Sequence, residues 1–203
     1  MIARAATRVF AERGYDGASI DEIARRSEVS APVVYDHFAS KRELYRHLLE
    51  RTRDELLAMW RQALAADLEA EERIPHSLDA WARYVEANRD ATRLYYREPS
   101  GDPEAQSLHR EIRAAGLAGL GGVLASEPGA ERLAGAADPA ALEMAAEIIR
   151  AGLIGLALWW NEHPEVPREQ VVAAAVNVLW IGFERVRRGE AYVAAKAGRS
   201  SSS

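Results

Sequence analysis

Residues 19–45, SIDEIARRSEVSAPVVYDHFASKRELY, decide the fold. Ser19-Ile20-Asp21-Glu22 has the spacing of a capping box, in which the serine hydroxyl accepts from the Glu22 amide and the Glu22 side chain reaches back to the Ser19 amide. A helix is therefore expected from Ile20, with Ile20, Ile23 and Ala24 on one face and its end near Ser27. Glu28-Val29-Ser30 then forms a tight corner with Val29 as its apolar plug, and Ser30 caps a second helix. Pro32 falls in the first turn of that helix, where a missing amide hydrogen costs nothing. Two short helices joined by so brief a turn make a helix-turn-helix.

In the second helix Val34 and Phe38 lie four residues apart and face the core, which leaves Ala31, Pro32, Val33, Tyr35 and His37 for the other faces. Such a set is unusual for a solvated helix. Small apolar side chains at its start allow close approach to base edges and thymine methyls, and Tyr35 and His37 can donate to phosphates. Ser40-Lys41-Arg42-Glu43 follows as a second capping box with two cations at a helix start, an arrangement suited to a phosphate.

Outward from this stretch the whole chain reads as helix. Ala, Leu, Glu and Arg dominate, apolar residues recur every three or four positions, and no alternating strand stands out. Breaks at 14–19, 28–30, 39–40, 74–77, 99–103, 128–139 and 163–167 separate eight or nine helices, the fourth running from about Lys41 to Ala70. The fold class is all-α. A trihelical helix-turn-helix domain over residues 1–47 precedes a larger helical bundle over 48–190, and 191–203 is expected to be a flexible tail.

The 203 residues are 48% hydrophobic and 28% charged, with a net charge of −5 and no cysteine. These values exclude disulfides and thiolate sites, and the acidic average argues against a protein wrapped in nucleic acid. Splitting the chain removes that objection: residues 1–50 carry 8 basic and 8 acidic side chains, so the acidic excess belongs entirely to the remainder. Arginines within the first ten residues rule out the apolar core of an export signal, and the ten-residue apolar run from Ala151 to Trp160 is far short of the roughly 20 needed to span a bilayer. The expected location is the cytoplasm, without membrane attachment. No metal or cofactor is expected. An enzymatic reading has little to stand on, because Gly119-Leu120-Gly121-Gly122 follows a helical segment instead of a strand, and neither a His-Glu-x-x-His nor a GxSxG motif occurs.

The run Phe10-Ala11-Glu12-Arg13-Gly14-Tyr15-Asp16-Gly17-Ala18-Ser19-Ile20-Asp21-Glu22-Ile23-Ala24, followed by Val29-Ser30, Val34-Tyr35-Asp36-His37-Phe38 and Ser40-Lys41-Arg42-Glu43-Leu44-Tyr45, resembles the DNA-binding domain of TetR-type transcriptional repressors over about residues 2–48. The resemblance implies phosphate contacts from Ser19, Tyr35, His37 and Lys41 and base contacts from Ala31, Pro32 and Val33, with Ser30, chiefly a cap, on the same surface. It also implies that the bundle over 48–190 is a ligand-binding and dimerisation domain, with double-stranded operator DNA, a small-molecule effector and a second copy of the chain as partners. Glu28 stands where the family usually has glycine, so a somewhat different turn, not left-handed, is expected there. Few residues precede the first helix, so minor-groove contacts from a basic arm are not expected.

Segments 141–160 and 170–187 are apolar on more than one face and need cover on two sides. A two-fold partner is the simplest cover, with Ile148, Gly152, Gly155, Val172, Val176, Leu179 and Phe183 at the interface. Trp60, Trp81, Tyr84, Tyr95, Tyr96, His109 and Trp159 are the candidates to line an effector cavity, and Arg93, Arg97, Arg110 and Arg113 form a cationic cluster that is either an anion site or a solvated surface. The expected function is that of a homodimeric repressor whose readers occupy successive major grooves about 34 to 36 Å apart until effector binding shifts the long fourth helix. A helical protein-interaction module that does not bind DNA is the alternative.

Overall fold

The computed structural model describes residues 1–125 and 139–180, and these contain nine α-helices and no strand. Helices α1 (Ile2–Gly17), α2 (Ile20–Arg26) and α3 (Ala31–His37) form the N-terminal unit, and α4 (Lys41–Leu64) leads out of it. Then come α5 (Ala70–Ala87), α6 (Arg89–Tyr96), α7 (Pro103–Ala125), α8 (Pro139–Glu162) and α9 (Arg168–Ala175), the last followed by a π-helical turn at Val176–Trp180. The expected interface residue Phe183 and the expected tail at 191–203 lie outside the described residues, as does the side chain of Leu179.

Each boundary has a local cause. Gly14 takes a left-handed φ of 71° and kinks the last turn of α1. Ser19 caps α2, its Oγ accepting from the Glu22 amide at 3.1 Å. The reciprocal half of that box does not form: Glu22 Oε1 instead accepts from Arg26 at 2.7 Å, because a guanidinium one turn away is the stronger donor. Ser40 caps α4 in the same way, accepting from the Glu43 amide at 3.1 Å, while Glu43 returns to the Ala39 amide at 2.7 Å. Ser30 occupies the N-cap of α3, yet its hydroxyl makes no capping bond. Asp102 Oδ1 accepts from the amides of Glu104 and Ala105, both at 2.9 Å, and Pro103 opens α7.

Two expectations need correction. Helix α4 ends at Leu64, short of Ala70, and the break falls at 65–69. Ile74–Ser77 is not a break: Pro75 lies inside α5, in its second turn, where the helix forgoes one amide donation without ending. A junction that periodicity did not signal occurs at Asn88, which at φ −129° and ψ 42° is the cap shared by α5 and α6.

The apolar core has two parts. Val9, Phe10, Ile23, Val34, Leu44, Tyr45 and Leu49 of the first four helices pack in one cluster with Leu94 of α6 and Leu108 and Ile112 of α7, so the N-terminal unit has no separate core. A second cluster joins Trp81, Val85, Ala157, Trp160 and Val171 across α5, α8 and α9. Trp160 is fixed by Nε1 donating to the Val166 carbonyl at 2.8 Å, and its own carbonyl accepts from Arg89 at 2.9 Å.

The α2–α3 corner is left-handed after all, with Glu28 at φ 57°. The Glu28 amide donates to the Arg25 carbonyl at 3.2 Å and the Val29 amide to the Ala24 carbonyl at 3.1 Å, the paired bonds of a Schellman motif, with half-buried Val29 packed on the core. Those bonds demand the left-handed residue whichever side chain is present, so an L-residue carries the strain. Glu28→Gly should raise unfolding stability by about 1 kcal/mol, and Glu28→Val should lower it, in urea titrations of the full chain.

Candidate nucleic-acid interface and adjoining cavity

Helix α3 is anchored by one fully buried side chain, Val34, and by half-buried Phe38, as its four-residue spacing requires. Ala31 is half-buried against the same cluster, while Pro32, Val33, Tyr35, Asp36 and His37 are exposed. Tyr35 is 53% exposed, too open to be covering the core. Ser19 and Ser30 are exposed at the two caps, and Ser19 still has its hydroxyl proton to donate. Arg25, exposed on α2, makes no salt bridge among the described residues and was not singled out by the sequence. Its signal was weak, one arginine beside another, and Arg26 of that pair is bound to Glu12 and Glu22, both at 2.7 Å.

Lys41 is held inward. Its Nζ donates to the Tyr15 carbonyl at 2.9 Å and the Ala18 carbonyl at 3.2 Å and lies 4.4 Å from the centre of the Tyr15 ring. Two of three ammonium donors thus tie the start of α4 to the end of α1, and one is left. Behind it, Phe10, Tyr15 and Tyr45 form a ring cluster with centroids 5.0 to 6.0 Å apart. The Tyr45 hydroxyl and His109 Nδ1 share a 2.9 Å hydrogen bond that joins α4 to α7. On the surface Arg42 pairs with Glu104, and Arg8 with Asp90 at 3.8 Å.

Further along α4 lies a cavity of ≈ 80 Å³, walled by α4 to α8. Trp60, Trp81, Tyr95 and Tyr96 line it, with leucines and isoleucine from three helices. Arg53 of α4, Arg113 of α7 and Arg150 of α8 also reach it. Close approach of α7 to α4 depends on glycine: a β-carbon at Gly119 would stand 2.9 Å from Leu57, and one at Gly116 would run into the Tyr95 hydroxyl. On the opposite side of α8 and α9, Met144, Ile148, Trp159 and Val178 are 44 to 74% exposed.

Residues 2–48 match the model of bacterial regulatory proteins of the tetR family. The N-terminal unit is thus of the tetR-family type. Over 188 residues it is 28% identical to the HTH-type transcriptional activator FasR of Mycolicibacterium smegmatis, covering 90% of this chain and 81% of that protein. Its fold is similar to that of the fatty acid degradation regulator FadR from Bacillus halodurans, with a TM-score of 0.72, 19% identity and coverage of 88% of this chain and 95% of that one. It is also similar to FadR from Bacillus subtilis in complex with stearoyl-CoA, with a TM-score of 0.69, 19% identity and coverage of 89% and 95%. The family is one of transcriptional regulators, not enzymes.

Of the aromatic side chains expected in a TetR-type cavity, three lie elsewhere. The Tyr84 hydroxyl donates to Glu55 at 2.8 Å, His109 is buried away from the cavity with Nδ1 bonded to Tyr45, and Trp159 is on the surface, stacked 4.2 Å from His163. The cationic cluster also divides: Arg110 pairs with Glu98 at 2.8 Å outside the cavity, and only Arg113 of the four faces it. Among the expected interface residues, Ile148 and Gly155 are exposed, Gly152 and Val176 half-buried, and Val172 packs into the second core cluster.

His109 is fully buried, and desolvation, followed by the Arg113 charge, lowers its pKa to about 4. The unfolded chain takes up that proton from about pH 6.5 downward, so folding stability is whole above pH 6.5 and declines toward pH 4. The loss attributable to this group is about 3 kcal/mol. Urea titrations at pH 7.0 and 5.0 should show a clearly smaller acid loss for His109→Gln than for the unchanged protein.

Proposed function

We propose that this chain is a homodimeric, ligand-responsive repressor of the TetR family that reads operator DNA with α3. The observation that carries the reading is the exposed face of α3, where Pro32, Val33, Tyr35 and His37 stand open to solvent on a helix held by Val34 and Phe38. A short helix presenting proline and valine outward has no use for them in water, whereas base edges and thymine methyls complement them. Ser19, Ser30, Tyr35, His37 and the remaining donor of Lys41 supply phosphate contacts around it, with Arg25 as a further cation, and Ala31 stands at the edge of the base-reading set.

Dimerisation is supported by the apolar face at Met144, Ile148, Trp159 and Val178, too large a concentration of exposed apolar side chains for a monomer. The space around Gly155 is open for close approach of a partner helix. An effector in the cavity would act on α4, which forms both the cavity wall and the floor of the reader. At ≈ 80 Å³ the cavity is well below the roughly 300 Å³ of a small-molecule site, so entry of a ligand must part its walls. Such coupling lowers DNA affinity by its differential affinity for the two arrangements. A regulator of this kind works in the cytoplasm. The relative named as an activator favours a second reading, in which the same DNA occupancy promotes transcription; a reporter assay with the operator placed over or upstream of the promoter separates the two.

Lys41→Met should reduce the slope of log affinity against log salt by about one. Tyr35→Phe should weaken binding about three- to tenfold on every duplex without changing that slope, since one neutral hydrogen bond is removed. Unchanged affinity and slope in both would remove these residues from the interface. Ile148→Glu should yield a monomer at micromolar concentration in analytical ultracentrifugation, with a correspondingly weaker hold on a two-half-site duplex.

A further inference from the structure

We infer that the cavity takes an amphipathic anion, an apolar chain ending in a carboxylate or phosphate, with Arg113, Arg150 and Arg53 holding the charged end. The lining contains three cations and no Asp or Glu. Around them the wall is apolar, so a bound molecule must be mostly hydrocarbon with one strongly polar end.

The pairing of the arginines points the same way. Arg53 and Arg150 are only 23% and 24% exposed, and their carboxylate partners Asp54 and Glu147 lie outside the cavity at 64% and 60% exposure. Such solvent-facing pairs are weak and leave guanidinium donors for a ligand. Arg113 is half-buried, feels the charge of the exposed Glu147 carboxylate and makes no salt bridge within 4.0 Å among the described residues. A half-buried cation with only a solvent-exposed carboxylate near it is weakly compensated, and an anion entering the acid-free cavity meets a site already positive and already partly dehydrated. The three come from α4, α7 and α8 and converge because Gly116 lets α7 close on α4: a β-carbon there would stand 3.2 Å from Arg53 Cγ. Trp60, Trp81, Leu117 and Ile154 then offer the surface for the chain.

The inference rests on reading the cavity as a ligand site, and one experiment separates the two. Calorimetric titration of the full chain with decanoate, decyl phosphate and decanol is run beside release of operator-bound duplex by the same compounds. Decanoate, decyl phosphate or both should bind at least tenfold more tightly than decanol, and which of the two binds distinguishes a free acid from a phosphate-bearing ester. Arg113→Gln should abolish that preference while leaving decanol binding unchanged; Arg150→Gln, on a different helix, should reduce it and serves if the first variant does not fold. Equal binding of decanol and decanoate, or no binding of any compound, overturns the inference. Selective anion binding without release of DNA upholds it and instead overturns the proposed effector role.

Discussion

The hydroxyl of Tyr45 has to be satisfied inside the protein, and His109 is what satisfies it. Tyr45 is 1% exposed and wedged among Phe10 and Tyr15, so an unpaired phenol there would forfeit the hydration it had in the unfolded chain. Its bond to α7 fixes where the first four helices sit on the rest of the molecule. Burial raises the Tyr45 pKa far above neutrality and lowers that of His109, so both remain uncharged and the joint is a neutral hydrogen bond in an apolar seam. Arg113, one of the three arginines at the cavity, is one helical turn from His109 on the same helix, so the cavity and the joint share α7 as well as α4.

Much of the N-terminal unit was legible because its signals are local. Caps, a proline in a first turn and the four-residue spacing of Val34 and Phe38 each involve residues close in sequence, and each specifies a backbone conformation directly. Glu28 shows where that reasoning fails. Propensity disfavours a left-handed glutamate, but the two Schellman bonds and the packing of Val29 together outweigh the strain. Pro75 fails in the opposite direction: a residue that breaks an isolated helix is carried by α5 because Trp81, Ala82 and Val85 bury the same helix in the second core.

The cavity was the least legible part. Trp60, Trp81, Tyr95 and Tyr96 were identified by type alone, and type could not separate them from Tyr84, His109 and Trp159, whose partners are set by tertiary packing. Arg53 and Arg150 lie on helices almost a hundred residues apart in sequence, and each has an acidic neighbour nearby on its own helix that makes it look like an ordinary solvated pair. Nothing short of the packing of α4 against α7 and α8 brings them together.

Helix α4 is unbroken for 24 residues, about 36 Å at the usual rise. It behaves as a stiff lever whose short arm runs beside Arg53 and Trp60 and whose far end carries Lys41 and the caps of the reader. Swinging such a rod by about 5° displaces its end by about 3 Å. Two copies moving in opposition would alter the span between readers by about 6 Å, a sizeable fraction of the groove-to-groove repeat of about 34 Å. Under the proposed function, a molecule that moves the cavity walls by no more than the width of a methyl group would be felt at the DNA.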